Sequence, residues 1–485
     1  MCNGWRQLTM RARSAAHAVR GAQGRVVRWR AVVAVALMLV GGDAARAQIG
    51  GVQLPQLPRV GDLPNTVTGT VNGALGQVND QLGNVPRLAD LRQLRVRELL
   101  RTQRQFVERD PNGAPILRAE LVAFSPTDAA LDSARAAGFT VARERTLDGL
   151  DARVIVLRAP DRMSTRRALA RLRGLDPNGA YDYNHIYFDS GVVAGARPRN
   201  FVVAAADASL DARTPDPTHL KIGLVDGGVD AGHPVFHDAV IHQHGCGDKP
   251  VPSPHGTAVA SLLIGRSELF HGAAPGAELF AADVYCGQGT GGAVDAVVDA
   301  IAWIARARVP VINVSLVGPP NITLENVVKI AIARGFVIVA AVGNDGAAAP
   351  PLYPASYPGV VGVTGVDVHD KVLLEACRGP QVAFAAPGAD MAAAMLSPTF
   401  AAVRGTSFAA PIVAGLLAAQ LAEPSPAAAG KAIAQLAQQA IDLGARGVDK
   451  VYGNGLVGDA LRVAPVAALI GPPGNASRSA DARQH

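Results

Sequence analysis

Lys221-Ile-Gly-Leu-Val-Asp226-Gly-Gly228 decides the fold: an apolar run from Ile222 to Val225 stops abruptly at a carboxylate and two glycines. A buried strand of a parallel sheet reads as an unbroken apolar stretch, and open α/β sheets gather their chemistry outside the carboxyl ends of the strands. Asp226 is therefore expected at a strand tip. A buried carboxylate is costly without a partner; a backbone group or an Arg would satisfy it, and so would an imidazole N–H.

Three further stretches bear on that choice. His255 follows Pro254 and opens Gly256-Thr257 and the small apolar run Ala258 to Ile264, which reads as a buried helix with the imidazole at its amino end. Taken alone, such a His is a satisfied cap. Ser407 stands in Gly405-Thr-Ser407-Phe-Ala-Ala-Pro411 ahead of an Ala/Leu/Val helix. It can cap that helix, and its small neighbours also let a carbonyl approach Oγ where the helix terminus favours developing negative charge. Phe336-Val-Ile-Val-Ala-Ala-Val-Gly343-Asn344-Asp345-Gly346 is a β-branched strand ending in Gly-Asn, either a simple turn or a placed amide donor.

With Asp226, His255, Asn344 and Ser407 in that order, residues 217–463 resemble the subtilisin-like serine peptidases, the subtilases. The resemblance implies an α/β fold, a doubly wound parallel sheet with helices on both faces. It also implies peptide-bond hydrolysis through an acyl-enzyme. Asp226 would orient the imidazole, His255 would act as base and then acid, Ser407 would attack, and Asn344 would join the Ser407 N–H in an oxyanion hole. The chain order Asp, His, Ser is the one known for subtilisin, so these roles come from the resemblance and not from spacing. In the family pattern Ser315, Leu316, Val317 and Gly318, together with Ala340, Ala341 and Val342, form the two edges between which a peptide lies extended. Gly272-Ala-Ala-Pro-Gly, Tyr353-Pro-Ala-Ser-Tyr-Pro and Tyr452-Gly-Asn-Gly fit the same template.

Departures from the pattern set further expectations. Gly227 stands where relatives usually carry Ser or Thr, removing one hydroxyl donor to Asp226. Val317, Val342 and Leu352 replace smaller residues and point to a shallow apolar pocket. His255 and Asn344 separate the chain from the acid-active sedolisins, which carry Glu and Asp there, and favour a neutral to alkaline optimum. A catalytically weak scaffold of the same fold, or an acyl-transferring variant, would share these motifs.

Composition bounds the remainder. At 485 residues, 49% hydrophobic and 5% aromatic, the chain has an Ala/Val/Leu core and more than one domain. Residues 1–47 carry eight Arg and only Asp43 as an acid, so the formal +6 becomes −1 without them and gives no case for a nucleic-acid partner. The same 47 residues read as a signal peptide, Arg-rich through Arg30, apolar from Ala31 to Val40, and closing on Ala45-Arg-Ala47. The apolar part falls short of the about 20 residues that a membrane span needs, so a secreted or periplasmic protein is expected, with no stable membrane span after removal.

Residues 48–113 read as a linker with a short Arg/Leu helix over 91–107. Residues 114–188 follow a β-α-β-β-α-β order, a small α+β ferredoxin-like unit. That unit resembles the propeptide that subtilases use as chaperone and intramolecular inhibitor. A linker with a processing site (189–216), the catalytic domain (217–465) and a tail (466–485) follow. The expected partners are polypeptide substrates and the chain's own propeptide.

Cys246 and Cys286 are disulfide candidates, since both lie in Gly-rich loops flanking the His255 region of the template. His242-Gln-His244-Gly-Cys246 lacks a second ligand pair at metal-site spacing, so no metal is assigned. No cofactor is required. Calcium commonly stabilises relatives, but no dense Asp/Asn loop for a hard cation stands in the sequence. The shallow pocket predicts cleavage after small or medium uncharged residues; a peptide-library profile dominated by Lys, Arg or Phe would refute it.

Overall fold

A computed structural model of the chain describes residues 88–193 and 220–465, apart from 248, 268, 269 and 397. The expected signal segment, most of the first linker, residues 194–219 and the tail lie outside the described residues.

The amino-terminal unit begins earlier than its sequence pattern indicates. Helix α1 (Leu88–Thr102) ends five residues short of Val107, because Val107 pairs with Leu117 in an antiparallel ladder. That tertiary pairing between β1 (Val107–Arg109) and β2 (Pro115–Phe124) overrides the helical Arg/Leu spacing. The unit continues through α2 (Asp128–Ala136), β3 (Thr140–Leu147), β4 (Ala152–Arg158), α3 (Thr165–Leu175) and β5 (Ala180–His185). Its antiparallel sheet runs β1-β2-β4-β3, with β5 also on β2. Thr127 and Ser164 cap α2 and α3 by accepting the backbone N–H of Ala130 and Arg167.

Alternation along β2 and β4 divides the sheet into two buried faces. Leu121, Ala123, Ile155 and Leu157 pack under α2 and α3 beside Leu131, Ala134, Ala168 and Leu169. Val122, Val154 and Val156 face the other way and share a core with the larger domain.

The expected linker does not start at residue 189. The strands β6 (Phe188–Asp189) and β7 (Val192–Val193) are each paired with the larger domain, so this stretch is extended and held.

The larger domain opens with β8 (Lys221–Asp226) and β9 (Ile241–His244), followed by α4 (Pro254–Ile264), β10 (Glu278–Asp283), α5 (Val294–Arg306) and β11 (Val311–Val314). It continues with the short β12 (Leu316–Val317), α6 (Ile322–Ala333), β13 (Val337–Ala341), β14 (Val361–Val366) and β15 (Val382–Pro387). The hairpin β16 (Met391–Ala394) and β17 (Phe400–Arg404) leads into α7 (Thr406–Ala418) and α8 (Pro426–Gln439). Seven strands form one parallel sheet in the order β15-β14-β13-β11-β8-β10-β9. From β8 the chain goes to the edge strand β9, returns to β10 between the two, and then crosses to β11 on the other side of β8, which makes the carboxyl ends of β8 and β11 the switch point of the sheet. No helix among the described residues is long and apolar enough to cross a membrane.

A polar network joins the two units. Arg143 reaches both Glu120 (2.5 Å) and Asp295 (3.0 Å), and the Asn184 amide donates to the same two carboxylates at 3.0 Å. Asn321 caps α6 with its Oδ1 and donates through Nδ2 to the Tyr183 carbonyl. Asp295 is 3% exposed, so removing its carboxylate takes one of two acceptors from the Asn184 amide and one of two counter-charges from Arg143, leaving Glu120 to serve both. Asp295→Ala is expected to lower the unfolding free energy by about 2–3 kcal/mol, below the full buried-pair cost because Arg143 keeps some solvent. The urea midpoint reads this, and Asp132→Ala, at an exposed pair, is expected to leave that midpoint in place.

Candidate functional site

Asp226 ends β8 at the switch point and is 1% exposed. It accepts the Gly227 N–H at 2.6 Å and lies 2.9 Å through each oxygen from His255 Nδ1. His255 is the second residue of α4, which Pro254 starts and Ser253 caps by accepting the Gly256 N–H at 2.9 Å. Glycine at 227 has a local cause: a Cβ there would lie 2.3 Å from Ser253 Oγ, so the cap of the histidine helix occupies the space. The hydroxyl donor expected beside Asp226 is replaced by the short bond from the Gly227 backbone.

Ser407 opens α7 and is fully buried. Pro411, inside this helix, has no N–H for the Ser407 carbonyl four residues back, and that carbonyl accepts Ser315 Oγ–H at 3.0 Å instead. Asn344, on the loop after β13, accepts the Thr406 N–H through Oδ1 at 3.2 Å. A Cβ built on Gly405 would lie 2.9 Å from both Asn344 Nδ2 and the Ser190 carbonyl oxygen, so donor and carbonyl converge on one face of that glycine.

The expected Ser407–His255 hydrogen bond is not made. Ser407 Oγ accepts the Ser190 N–H at 3.1 Å, donates to the Ser315 carbonyl at 3.1 Å, and lies 2.5 Å from Ser190 Oγ. His255 Nε2 is buried with no hydrogen-bond partner among the described residues. The reason is the occupant of the cleft. Phe188 and Asp189 pair antiparallel with Val317 and Leu316, and Val192 and Val193 pair with Arg404 and Val403, so the Ser190–Gly191 peptide crosses the space between Ser407 and His255.

One edge expected to hold a peptide is corrected. Ala340 lies inside the sheet, paired with Val314 of β11 on one side and Gly362 of β14 on the other, and Ala341 is paired with Val363 of β14, so this inner strand is not a free edge along its length. The second edge is Gly292–Ala293: the Tyr187 N–H donates to the Gly292 carbonyl at 2.8 Å, and Ile186 bridges Ala293. Val342 also faces the core, where a Cβ at Gly362 would lie 3.3 Å from its Cγ1. Val317 does line the cavity beside Ser190, with Asn344, Asp345 and Glu375. Leu352 packs against Gly343, and Gly318 is paired with Tyr353 under the Tyr187 ring.

Helix α1 supplies two arginines that the sequence does not single out. Arg92 chelates the Asp345 carboxylate next to Asn344, and Arg95 pairs with Asp189. Nothing in the Arg/Leu spacing distinguishes these two from the others.

Burial works against protonation of His255, but the Asp226 carboxylate and its hydrogen bond, with Asp189 adding charge, more than offset it and raise the imidazole pKa. Burial likewise pushes the Asp226 carboxyl upward.

Cys246 and Cys286 form a disulfide with a Cα separation of 5.3 Å, tying the loops after β9 and β10. Asp283 lies beside them but accepts the backbone N–H groups of Val251, Tyr285 and Cys286. With both sulfurs bonded to each other, this cluster does not offer a metal the ligand set it needs. His242 pairs with Glu278 and His244 with Asp299 rather than with Cys246. Cys377 is buried, which pushes its thiol up to about 11 and leaves it protonated at neutral pH.

The model of the subtilase family matches residues 218–455. Subtilisin DY of Bacillus licheniformis is 31% identical over 247 residues, covering 49% of this chain and 89% of its own length. Subtilisin E of Bacillus subtilis (strain 168) is 31% identical over 217 residues, covering 41% of this chain; here the match spans about half, 55%, of the relative. Among solved structures, fervidolysin from Fervidobacterium pennivorans, a keratinolytic enzyme related to subtilisin, is similar with a TM-score of 0.58 at 21% identity, covering 76% of this chain and 63% of that one. That likeness concerns the fold, whereas the sequence identities and the family match reach further: this chain belongs to the subtilase family.

Proposed function

We propose that the chain is an exported serine endopeptidase, made as a zymogen whose first substrate is its own Ser190–Gly191 bond. The observation that carries this reading is the antiparallel seating of Phe188–Asp189 on Leu316–Val317 and of Val192–Val193 on Val403–Arg404, with the intervening peptide at Ser407. Extended chains are held at free strand edges in this way, largely independent of their side chains.

In the reaction, rotation of the Ser407 side chain brings Oγ toward His255 Nε2. Oγ then adds to the Ser190 carbonyl carbon as His255 takes its proton, and the oxyanion forms toward Asn344 Nδ2 and the Ser407 N–H. The C–N bond breaks as His255 returns the proton to the Gly191 nitrogen. Water, activated by the same imidazole, hydrolyses the ester and leaves a Ser190 carboxylate. Asp226 holds the ring through Nδ1 and stabilises the imidazolium. Residues 88–190 are then the inhibitory prosegment, consistent with their contacts to α5 and α6 and with the arginines of α1 over the cleft. Export is supported by the amino-terminal sequence and by a relative called minor extracellular protease Epr, from Bacillus subtilis, 29% identical over 247 residues.

The native chain is expected to release a form beginning at Gly191 that a fluorophosphonate labels, whereas Ser407→Ala stays uncleaved and unlabelled. Absence of processing and labelling in the native chain would favour an inactive scaffold. Because the imidazole must be neutral to accept a proton and its pKa is raised in the intact chain, self-cleavage is expected to increase with pH through a limb above about 6.5. Rates of precursor loss between about pH 5 and 9 check this, and a limb below the ordinary imidazole value would contradict it.

A further inference from the structure

The segment in the cleft carries glycine at the one position of the scissile pair where a side chain meets a wall. A Cβ built on Gly191 would lie 2.5 Å from Cε2 and 2.8 Å from Cζ of Phe408, and 2.9 Å from His255 Nε2. Real carbon atoms do not approach so closely, so something would have to give. The restriction comes from space and not from backbone conformation, since Gly191 is absent from the residues with positive φ.

Neither wall can retreat easily. Phe408 is fully buried at the start of α7, within the main core of the domain. Its ring centre is 5.2 Å from that of the imidazole, so a swing one way is blocked by His255 and the other way by the core. His255 is itself held at 2.9 Å by both oxygens of Asp226. Forcing extra bulk into a packed site of this kind costs enough to change a rate by about tenfold or more. On the other side of the bond, Ser190 is a small residue enclosed beside Val317 and Asn344.

We propose that Phe408 makes the subsite for the residue after the scissile bond selective for glycine, so that the substrates are chains with a small uncharged residue followed by glycine. The inference rests on the reading above, that residues 187–193 occupy the cleft as a substrate does. Within it, Phe408 is a specificity-determining residue, and Gly191 is present because the cleft accepts nothing larger there.

The processed protein is given peptides of the form Tyr-Phe-Asp-Ser-Xaa-Val-Val, with Gly, Ala or Leu at Xaa, and is labelled in parallel with a fluorophosphonate, whose reaction involves no residue after the bond. The Gly peptide is expected to be cut at least about tenfold faster than the Ala peptide. In Phe408→Ala that ratio is expected to fall to within about threefold, a readout that an overall loss of rate does not move. As a second arm that does not depend on the core variant folding, Gly191→Ala in the full-length chain is expected to slow self-cleavage at least about tenfold. A native protein that labels normally yet cuts the Gly and Ala peptides alike would overturn the proposal, as would Gly191→Ala precursor that processes at the native rate. A labelled Phe408→Ala protein that keeps the native ratio would remove the assignment to Phe408. Failure of the native protein to label at all would instead overturn the hydrolase reading, and this inference with it.

Discussion

Backbone groups left unpaired at a strand edge are the constraint on which the rest of this structure depends. Every buried N–H and C=O must find a partner, and in the seven-stranded sheet the inner strands find theirs in each other. The short strands β12 and β17 and the turn at Gly292–Ala293 lie off that ladder and keep free edges. Residues 186–193 satisfy all three at once. The path they are forced to take between those edges carries a single peptide bond past Ser407. The location of the chemistry is thus set by which edges the sheet cannot pair for itself.

The same economy governs how Asp226 and His255 meet. The amino end of α4 presses against the exit loop of β8 so closely that a Cβ on Gly256 would lie 2.2 Å from the Gly227 carbonyl oxygen. Two glycines and a serine cap therefore fix the distance between a strand tip and a helix start. Proline performs a comparable service at α7, where the N–H it lacks frees the Ser407 carbonyl to take Ser315 Oγ–H. That bond, with the Ser407 Oγ–H donated to the Ser315 carbonyl, ties the start of the helix to the residue leading into β12.

Much of this is legible in the sequence because it is written in local patterns. The apolar run into Asp226, the Pro-His-Gly start of α4, and the alternation along β2 and β4 each reflect burial of a whole face or a whole strand. What stays hidden depends on long-range pairing. Phe188–Asp189 has no strand signature of its own, being two residues between Tyr187 and Ser190-Gly191, and it becomes extended where Leu316–Val317 lies alongside. The expectation of a second edge at Ala340–Val342 fails because a β-branched strand ending in Gly-Asn looks the same whether one side or both are paired. Arg92 and Arg95 are two of many arginines on an exposed helix, and only the presence of Asp345 and Asp189 opposite them sets them apart.

The occupied cleft also alters the group expected to act on it. Asp189 contributes negative charge that raises the His255 pKa, while Arg95, paired with that same Asp189, works in the opposite direction. Both residues belong to the amino-terminal side of the Ser190–Gly191 bond, so both depart if that fragment leaves. Cleavage would add a carboxylate at Ser190, in the cavity that Arg92 and Arg95 line. Those arginines belong to the same fragment as the new carboxylate and cannot hold it by attracting it; the charge pair that crosses to the larger domain is Arg92 with Asp345. Opposite charges in a partly desolvated site attract more strongly than in water, so this pair would retain the fragment that cleavage has just detached. On this electrostatic ground, breaking the bond and opening the cleft are two separate events, and the second waits on the loss of contacts made by α1 and by the Asp295 network.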